Sequence, residues 1–577
     1  MNKISNVLFV VSGIWEHVSF KRRRELFLYL AIMFAASVLE ILTVSFALPL
    51  IQILIQPEKI YSIKFVNFLV REVHVSNLDQ LLSIVVVAFV TIVFLSGAIR
   101  IILVKINSQF SFSLGADMSE EIYMKTLYQP YKVHTIRSTS EVITAIINKT
   151  NDIIYNAILP MLTIISSLLL TTVILIALAF INLTATLMFF LGFTFLYLMI
   201  TRFTKAKLNK NSEIVSIESV KVTKSLQEGL GGARDIILDG TQQFYCDNFS
   251  RAGRLMRMAQ GYNQFIVQCP RYLVETLGTI IIAVVAFNIR QSDVVGGIAI
   301  VGVLTLAAQR VLPLIQQAYS SWSAITGALY SLNDTLVLLN QKINIPKSTE
   351  VIPADFRYGI KLENVSFKYT EKSNLIFNNF NYEIKKGSRV GIIGKSGCGK
   401  STLLDLIMAL LPPTEGRLVI DGECVNLSNS RAWQMCIAHV PQNIFLSDLS
   451  IKENIAIGVE LKDIDDALIN KVINDAQLTE VIDQMPDGIK TKVGERGIRL
   501  SGGQRQRIGI ARALYKKPKI IIFDEATSAL DSETEAEVIS AINSISRDIT
   551  IIMVAHRRST LTHCDEVLDL NKIKRNT

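Results

Sequence analysis

The chain is poor in the residues that make a disulfide scaffold, a metal centre or a nucleic-acid binder. Its 577 residues include only 6 cysteines and 6 histidines. Cys246, Cys269, Cys398, Cys424, Cys436 and Cys564 show neither paired nor metal-ligand spacing, so they read as reduced thiols in a cytosol-like compartment. Charge is scarce too: 19% of residues are Asp, Glu, Lys or Arg, against 50% hydrophobic, and mean hydropathy is +0.37. Disorder and collagen-like structure are excluded on those figures. The net charge of +9 comes without basic motifs interleaved with aromatics, so no nucleic-acid partner is expected. Excess Lys and Arg on the cytoplasmic segments of a membrane protein accounts for it. No long apolar run precedes Lys21-Arg22-Arg23-Arg24, so no cleavable signal peptide is expected.

The apolar residues are concentrated in the first part of the chain. Runs near the roughly 20 residues that a spanning helix needs occur at Leu26–Leu54, Leu81–Val104, Ala157–Asn182, Leu183–Ile200, Phe265–Ile289 and Val294–Ile315. The turns at Asn182 and Arg290–Asp293 are short, whereas Lys105–Tyr155 and Thr201–Asn263 are long and charged. Lys21–Arg24 places the N-terminus inside, and an even number of crossings returns the chain to that side. The long loops are therefore expected to be cytoplasmic extensions of the helices. Residues 1–340 form the expected membrane domain, 341–357 a polar linker with Pro346 and Pro353, and 358–577 an α/β domain in which short β-rich runs alternate with helical ones.

In that last region Gly394-Lys395-Ser396-Gly397-Cys398-Gly399-Lys400-Ser401, followed by Thr402, comes after a short apolar strand and opens a helix, Ser401–Leu410. Glycines in that context let backbone N–H groups curl around phosphates at a helix N-terminus. Lys400 would reach the β- and γ-phosphates and Ser401 would ligate Mg²⁺. The run Lys519–Phe523 reads as a strand buried on both faces, delivering Asp524 and Glu525 at its end. Asp524 suits a metal ligand and Glu525 a base for the attacking water.

With Leu500-Ser501-Gly502-Gly503-Gln504 the chain resembles the ATP-binding cassette (ABC) proteins, and its whole layout resembles an ABC exporter half-transporter. The resemblance implies a polytopic all-α membrane domain of six transmembrane helices joined to an α/β P-loop NTPase domain of ABC type, with ATP and Mg²⁺ as cofactors. It assigns Tyr369 to adenine stacking, Gln442 to Mg²⁺ contact, Glu495 to an exporter loop, Ser528–Asp531 to the D-loop and His556 to the γ-phosphate. It also implies a second copy of the same chain, with a heterodimer as the alternative, because Ser501, Gly502 and Gly503 of one copy cap the ATP held by Lys400 of the other. It leaves open how Arg557–Thr577 packs.

The pieces Gln227–Asp235, Asp239–Thr241, Ala259–Gly261 and Pro270–Tyr272 resemble the bacterial lipid-linked oligosaccharide flippases. That implies a polyprenyl-pyrophosphate headgroup met by arginines in the cytoplasmic (inner) membrane. Arg271, Arg100 and Arg310 are the candidates, Arg271 foremost. An exporter of peptide, toxin, lipid or drug is the alternative. Short coupling helices are expected near Leu127–His134 and Gly229–Asp239, and nucleotide is expected to protect Cys398 from alkylation.

Overall fold

The computed structural model describes residues 7–55, 78–137, 139–181, 183–289, 294–343, 352–426, 429–494, 497–526, 532–555 and 558–573. His556, Glu495, Ser528–Asp531 and the Arg290–Asp293 turn lie outside them. The chain forms two compact units: residues 1–129 with 136–344, and residues 130–135 with 345–577.

Among its described residues the first unit is all helical. A short helix α1 (Val7–Glu16) precedes six long ones: α2 (Phe20–Ile55), α3 (Leu78–Leu127), α4 (Leu159–Ile181), α5 (Leu183–Gly231), α6 (Gln242–Ile289) and α7 (Val294–Gly327), followed by α8 (Leu329–Leu339). Four of the expected runs sit inside much longer helices, because the charged stretches beyond them (Lys105–Leu127 after the second, for example) are themselves rich in helix formers. Among the described residues, Phe20–Thr43, Leu82–Leu127 and Val142–Phe180 are each long and apolar enough to cross a membrane. Phe94, Ile101, Phe180, Phe195 and Phe203 point outward, the reverse of a soluble bundle and the pattern of a lipid-facing surface. The chain is a multi-pass membrane protein. The interior is anchored by Tyr29, Met33, Leu114, Ile122, Ile153, Leu332 and Leu339. Gly115 lies so close to Ile154 that a Cβ there would meet its Cγ1 at 2.2 Å, so glycine sets the approach of α3 to the chain leading into α4.

The second unit is built on two sheets. β1 (Gly359–Phe367), β2 (Phe377–Lys385), β4 (Glu415–Ile420) and β5 (Glu423–Cys424) form an antiparallel sheet in the order β2-β1-β4-β5. β3 (Arg389–Ile393), β6 (Ile437–Val440), β7 (Ile520–Asp524), β8 (Thr550–Val554) and β9 (Glu566–Asp569) form a parallel one in the order β6-β7-β8-β3-β9. Ile520, Ile521, Ile522 and Phe523 are all buried, as expected for a central strand covered on both faces. The helix after the P-loop, α9 (Lys400–Ile407), stops earlier than the apolar run implies, because Ala409 is left-handed at φ 51°. The signature motif opens α10 (Gly502–Tyr515).

Candidate nucleotide site and intramembrane charges

The P-loop geometry begins with sheet register. β3 is a central strand of the parallel sheet, paired with β8 and β9, and ends where the loop starts. Gly397 (φ 77°) and Gly399 (φ 102°) are both left-handed. At Gly399 a Cβ would also strike Ile376 Cγ2 at 2.6 Å, so the position is closed to any side chain. Helix α9 follows at once, turning its unpaired N–H groups toward the loop. Lys400 is 7% exposed; its Nζ donates to the Gly394 carbonyl at 2.9 Å and lies 3.7 Å from Glu525 Oε1. The register of β7 against β8, with Asp524 opposite Val554, brings the second strand end level with the first. Glu525 is left-handed (φ 49°) and gives its N–H to the Val554 carbonyl at 3.0 Å. Strain of that kind in a non-glycine residue costs about 1–3 kcal/mol and concentrates at functional sites.

The electrostatics are acidic. Burial, and then the neighbouring Glu525 charge, push the Asp524 carboxyl up, while Lys400 pulls it down. Asp405, one turn beyond Ser401 on α9, is pushed up to about 6 by burial and then by Asp524. Two carboxyls, Asp524 and Glu525, stand beside one buried lysine and suit a divalent cation that arrives with its own phosphate ligands. Magnesium usually takes one or two carboxylates together with phosphate oxygens, and the described residues hold no protein-only cage of three or more His, Cys, Asp or Glu. ATP and Mg²⁺ therefore fit the site.

Other expected residues are placed less directly. The Tyr369 hydroxyl meets Thr402 Oγ1 at 3.1 Å and its ring packs edge-on against Phe367 at 5.2 Å, beside the P-loop helix. Gln442 is exposed, and its backbone carbonyl accepts Gln506 Nε2 at 2.9 Å. Ser501 caps α10 reciprocally with Gln504: Gln504 N donates to Ser501 Oγ at 3.2 Å and Ser501 N to Gln504 Oε1 at 2.9 Å. Gly502 and Gly503 form that helix's first turn. Arg512 donates to the Phe445 and Asn454 carbonyls at 2.9 and 2.8 Å, so the signature helix and the segment after Gln442 are bonded together. Sequence reading missed Gln506 and Asp405; Asp405 was visible as an acid one turn after Ser401. Cys398, expected to be shielded from alkylation by nucleotide, is only 7% exposed in the fold itself, and its thiol lies against Gly394.

In the membrane unit the three arginines do not converge. Glu40 is wholly buried; its Oε2 accepts Arg100 Nη2 at 2.7 Å and Ser96 Oγ at 3.1 Å, and its Oε1 accepts Arg310 Nη1. One carboxylate thus joins α2, α3 and α7 and leaves one positive charge over. Arg271 stands apart, paired with Glu275 one turn along α6 at 2.8 Å, with both side chains about half exposed. The loop helices expected near the cytoplasmic ends are present at Tyr131–Ile136 and Ala233–Leu238. Pro130–Thr135 belongs to the second unit, where the Tyr131 phenol is pushed up by burial and then by Asp405 and Tyr369.

Residues 377–528 match the ABC transporter family. The chain is 31% identical over 382 residues to the ATP-dependent lipid A-core flippase of Ralstonia nicotianae, covering 64% of this chain and 63% of that protein. It is 35% identical over 363 residues to the heterocyst differentiation ATP-binding protein HepA of Nostoc, covering 61% and 58%. A second lipid A-core flippase, from Cupriavidus pinatubonensis, is 28% identical over 468 residues, covering 79% and 77%. Over the Ralstonia and Nostoc relatives, the chain spans less than two thirds of the relative's length. The fold is that of a bacterial Atm1-family ABC exporter solved with ATP bound, with TM-score 0.76, 22% identity and 96% of each chain covered. The P-loop, the strand-end acids and the signature helix all lie in the segment that matches the ABC transporter family, and the chain as a whole has the fold of an ABC exporter.

Proposed function

We propose that the chain is an ATP hydrolase coupled to export, which moves a lipid carrying an acidic headgroup across the cytoplasmic membrane as a homodimer. The observation that carries the energetic half is the convergence of Lys400, Asp524 and Glu525 at two adjacent strand ends. ATP and Mg²⁺ supply the transferable phosphoryl group and its charge neutralisation when bound. Lys400 neutralises phosphate charge, Ser401, Gln442 and Asp524 hold the metal, and Tyr369 offers a ring to the base. Glu525, held in its strained backbone, takes the proton of the attacking water; His556 contacts the γ-phosphate. Ser501, Gly502, Gly503 and Gln504 act on the nucleotide of the second copy, and the α10 N-terminus suits that anionic target.

Lipid is the cargo class favoured by the lipid A-core flippases among the relatives. The uncompensated positive charge around Glu40 favours an anionic headgroup, and guanidinium forks suit phosphate oxygens. Together with the Gln227–Asp235 and Pro270–Tyr272 resemblances, this supports a polyprenyl-pyrophosphate-linked oligosaccharide, with Arg100 and Arg310 ahead of Arg271. The second reading is lipid A-core itself. Purified chain in liposomes carrying one lipid or the other decides between them by ATP-dependent loss of the headgroup from one leaflet. We expect flipping of the pyrophosphate lipid, reduced about tenfold or more by Arg100→Gln with Arg310→Gln. Flipping of lipid A alone moves the assignment to the second reading. Unchanged flipping after loss of all three arginines removes the headgroup role.

A further inference from the structure

We infer that Asn571, near the end of the described chain, is a positioning residue for the P-loop. β9 runs beside β3 with Asp569 opposite Ile393, so the chain after β9 emerges next to the start of the loop. There it forms the single turn α11 (Leu570–Ile573). Leu570 is buried, and a Cβ at Gly394 would lie 3.4 Å from the Leu570 Cβ and 2.4 Å from Cys398 Sγ. The first loop residue is therefore wedged between the thiol and the C-terminal turn.

Asn571 Oδ1 accepts the backbone N–H of Lys395 at 3.0 Å. Its orientation is chemically fixed. Asp569 Oδ1 accepts both Asn571 Nδ2 and Asn571 N at 3.0 Å, so the amide nitrogen must face the carboxylate and the oxygen must face Lys395. Reversed, the amide would set oxygen against carboxylate and N–H against N–H. On its other side Lys395 offers its carbonyl to Cys398 N at 3.2 Å, closing a turn through the left-handed Gly397. Both peptide groups of Lys395 are thus tied: one to the loop's own turn, the other to Asn571. The Lys395 N–H is spent outward, and the amides left to face phosphate are those further along the loop. Asp569 and Asn571 hold the corner from which that nest is hung, so the loop is ordered before ligand arrives.

The inference rests on the reading of the P-loop as the nucleotide site, and the test separates the two. Full-length chain in lipid nanodiscs is titrated with a fluorescent ATP analogue and assayed for ATPase, with thermal unfolding recorded alongside. Asn571→Ala is expected to raise Kd and the KM for ATP about three- to tenfold, the span of one lost hydrogen bond, with kcat within about twofold of wild type and melting temperature unchanged. Exchanging the pair, Asp569→Asn with Asn571→Asp, keeps an acceptor for Lys395 N–H and a donor between the two side chains. It is expected to return KM to within about twofold of wild type. An unchanged KM in Asn571→Ala overturns the inference. So does a KM rise that the exchange fails to reverse, or one that tracks a fall in melting temperature, since either assigns Asn571 to general packing. If the wild-type chain binds no nucleotide, the site reading fails and the role of Asn571 falls with it.

Discussion

Glu40→Gln tests whether the intramembrane charges are held as the structure shows. The carboxylate is 0% exposed and both oxygens are used, Oε1 by Arg310 and Oε2 by Arg100 and Ser96. A glutamine can still accept from one guanidinium, but its NH₂ then faces the donors of the other. Removing one partner of a fully buried pair costs about 3–5 kcal/mol, chiefly because the charge left behind is unpaired. Here the Arg100 and Arg310 side chains are 43% and 29% exposed, so each regains part of its hydration. The expected loss is about 2–3 kcal/mol. Thermal unfolding of the whole chain in detergent, followed by tryptophan fluorescence, should show a melting point lower by roughly 3–4 °C. A cycle of Glu40→Gln, Arg310→Gln and the double variant should give a coupling of about 1 kcal/mol or more, since these residues share one interaction. If Glu40→Gln melts with the wild type and the cycle is additive, the carboxylate does not hold the arginines and the three-helix clasp is wrong.

Three further outcomes follow from the nucleotide unit. Glu525→Gln should keep ATP binding but lower kcat at least about 100-fold, the range for loss of a general base; near-wild-type turnover would move the proton acceptor elsewhere. Asp405 titrates near 6 in the fold against an ordinary 3.8, so the folded state holds its proton more tightly. The stability gained is complete below about pH 4 and is lost as pH rises through 6. The full shift would be worth about 3 kcal/mol, reduced to about 1–2 kcal/mol because the group is part solvated. Asp405→Asn should therefore raise the melting point at pH 7.5 without divalent metal and leave it unchanged at pH 4; an equal effect at both pH values contradicts the assignment. Cys398 should react with maleimide far more slowly than Cys424, which is exposed, and ATP should change that ratio little; mass spectrometry of labelled peptides reads it.

The two kinds of pattern in the chain were unequally legible. Apolar runs, bounded by glycine at β3 and by Pro518 and Asp524 at β7, marked both strands and the P-loop, because a buried parallel strand and a left-handed turn leave few residue choices. Lys400 follows one such run, and Asp524 and Glu525 close the other, so their neighbourhood was readable before any coordinates. Helix limits were less so: the charged stretch after Val104 reads as an extension of the helix, but nothing in its composition marks the end of α3 at Leu127. Residues that act through another residue were not legible at all. Asn571 and Lys395 are distant in sequence, and only the β3–β9 register joins them.

The same distinction governs the arginines. Sequence position alone ranked Arg271 first, as a charge next to a proline inside an apolar run. A charge one helical turn from an acid on its own helix can be neutralised locally, and Glu275 does so. Arg100 and Arg310 have no such partner within a turn, and their counter-charge comes from a third helix. A carboxylate shared by two guanidinia cannot cancel both, so the residual charge is a property of the helix packing and of no single segment. On the proposed reading, the cation offered to a headgroup is therefore the pair whose sequence context looked most ordinary.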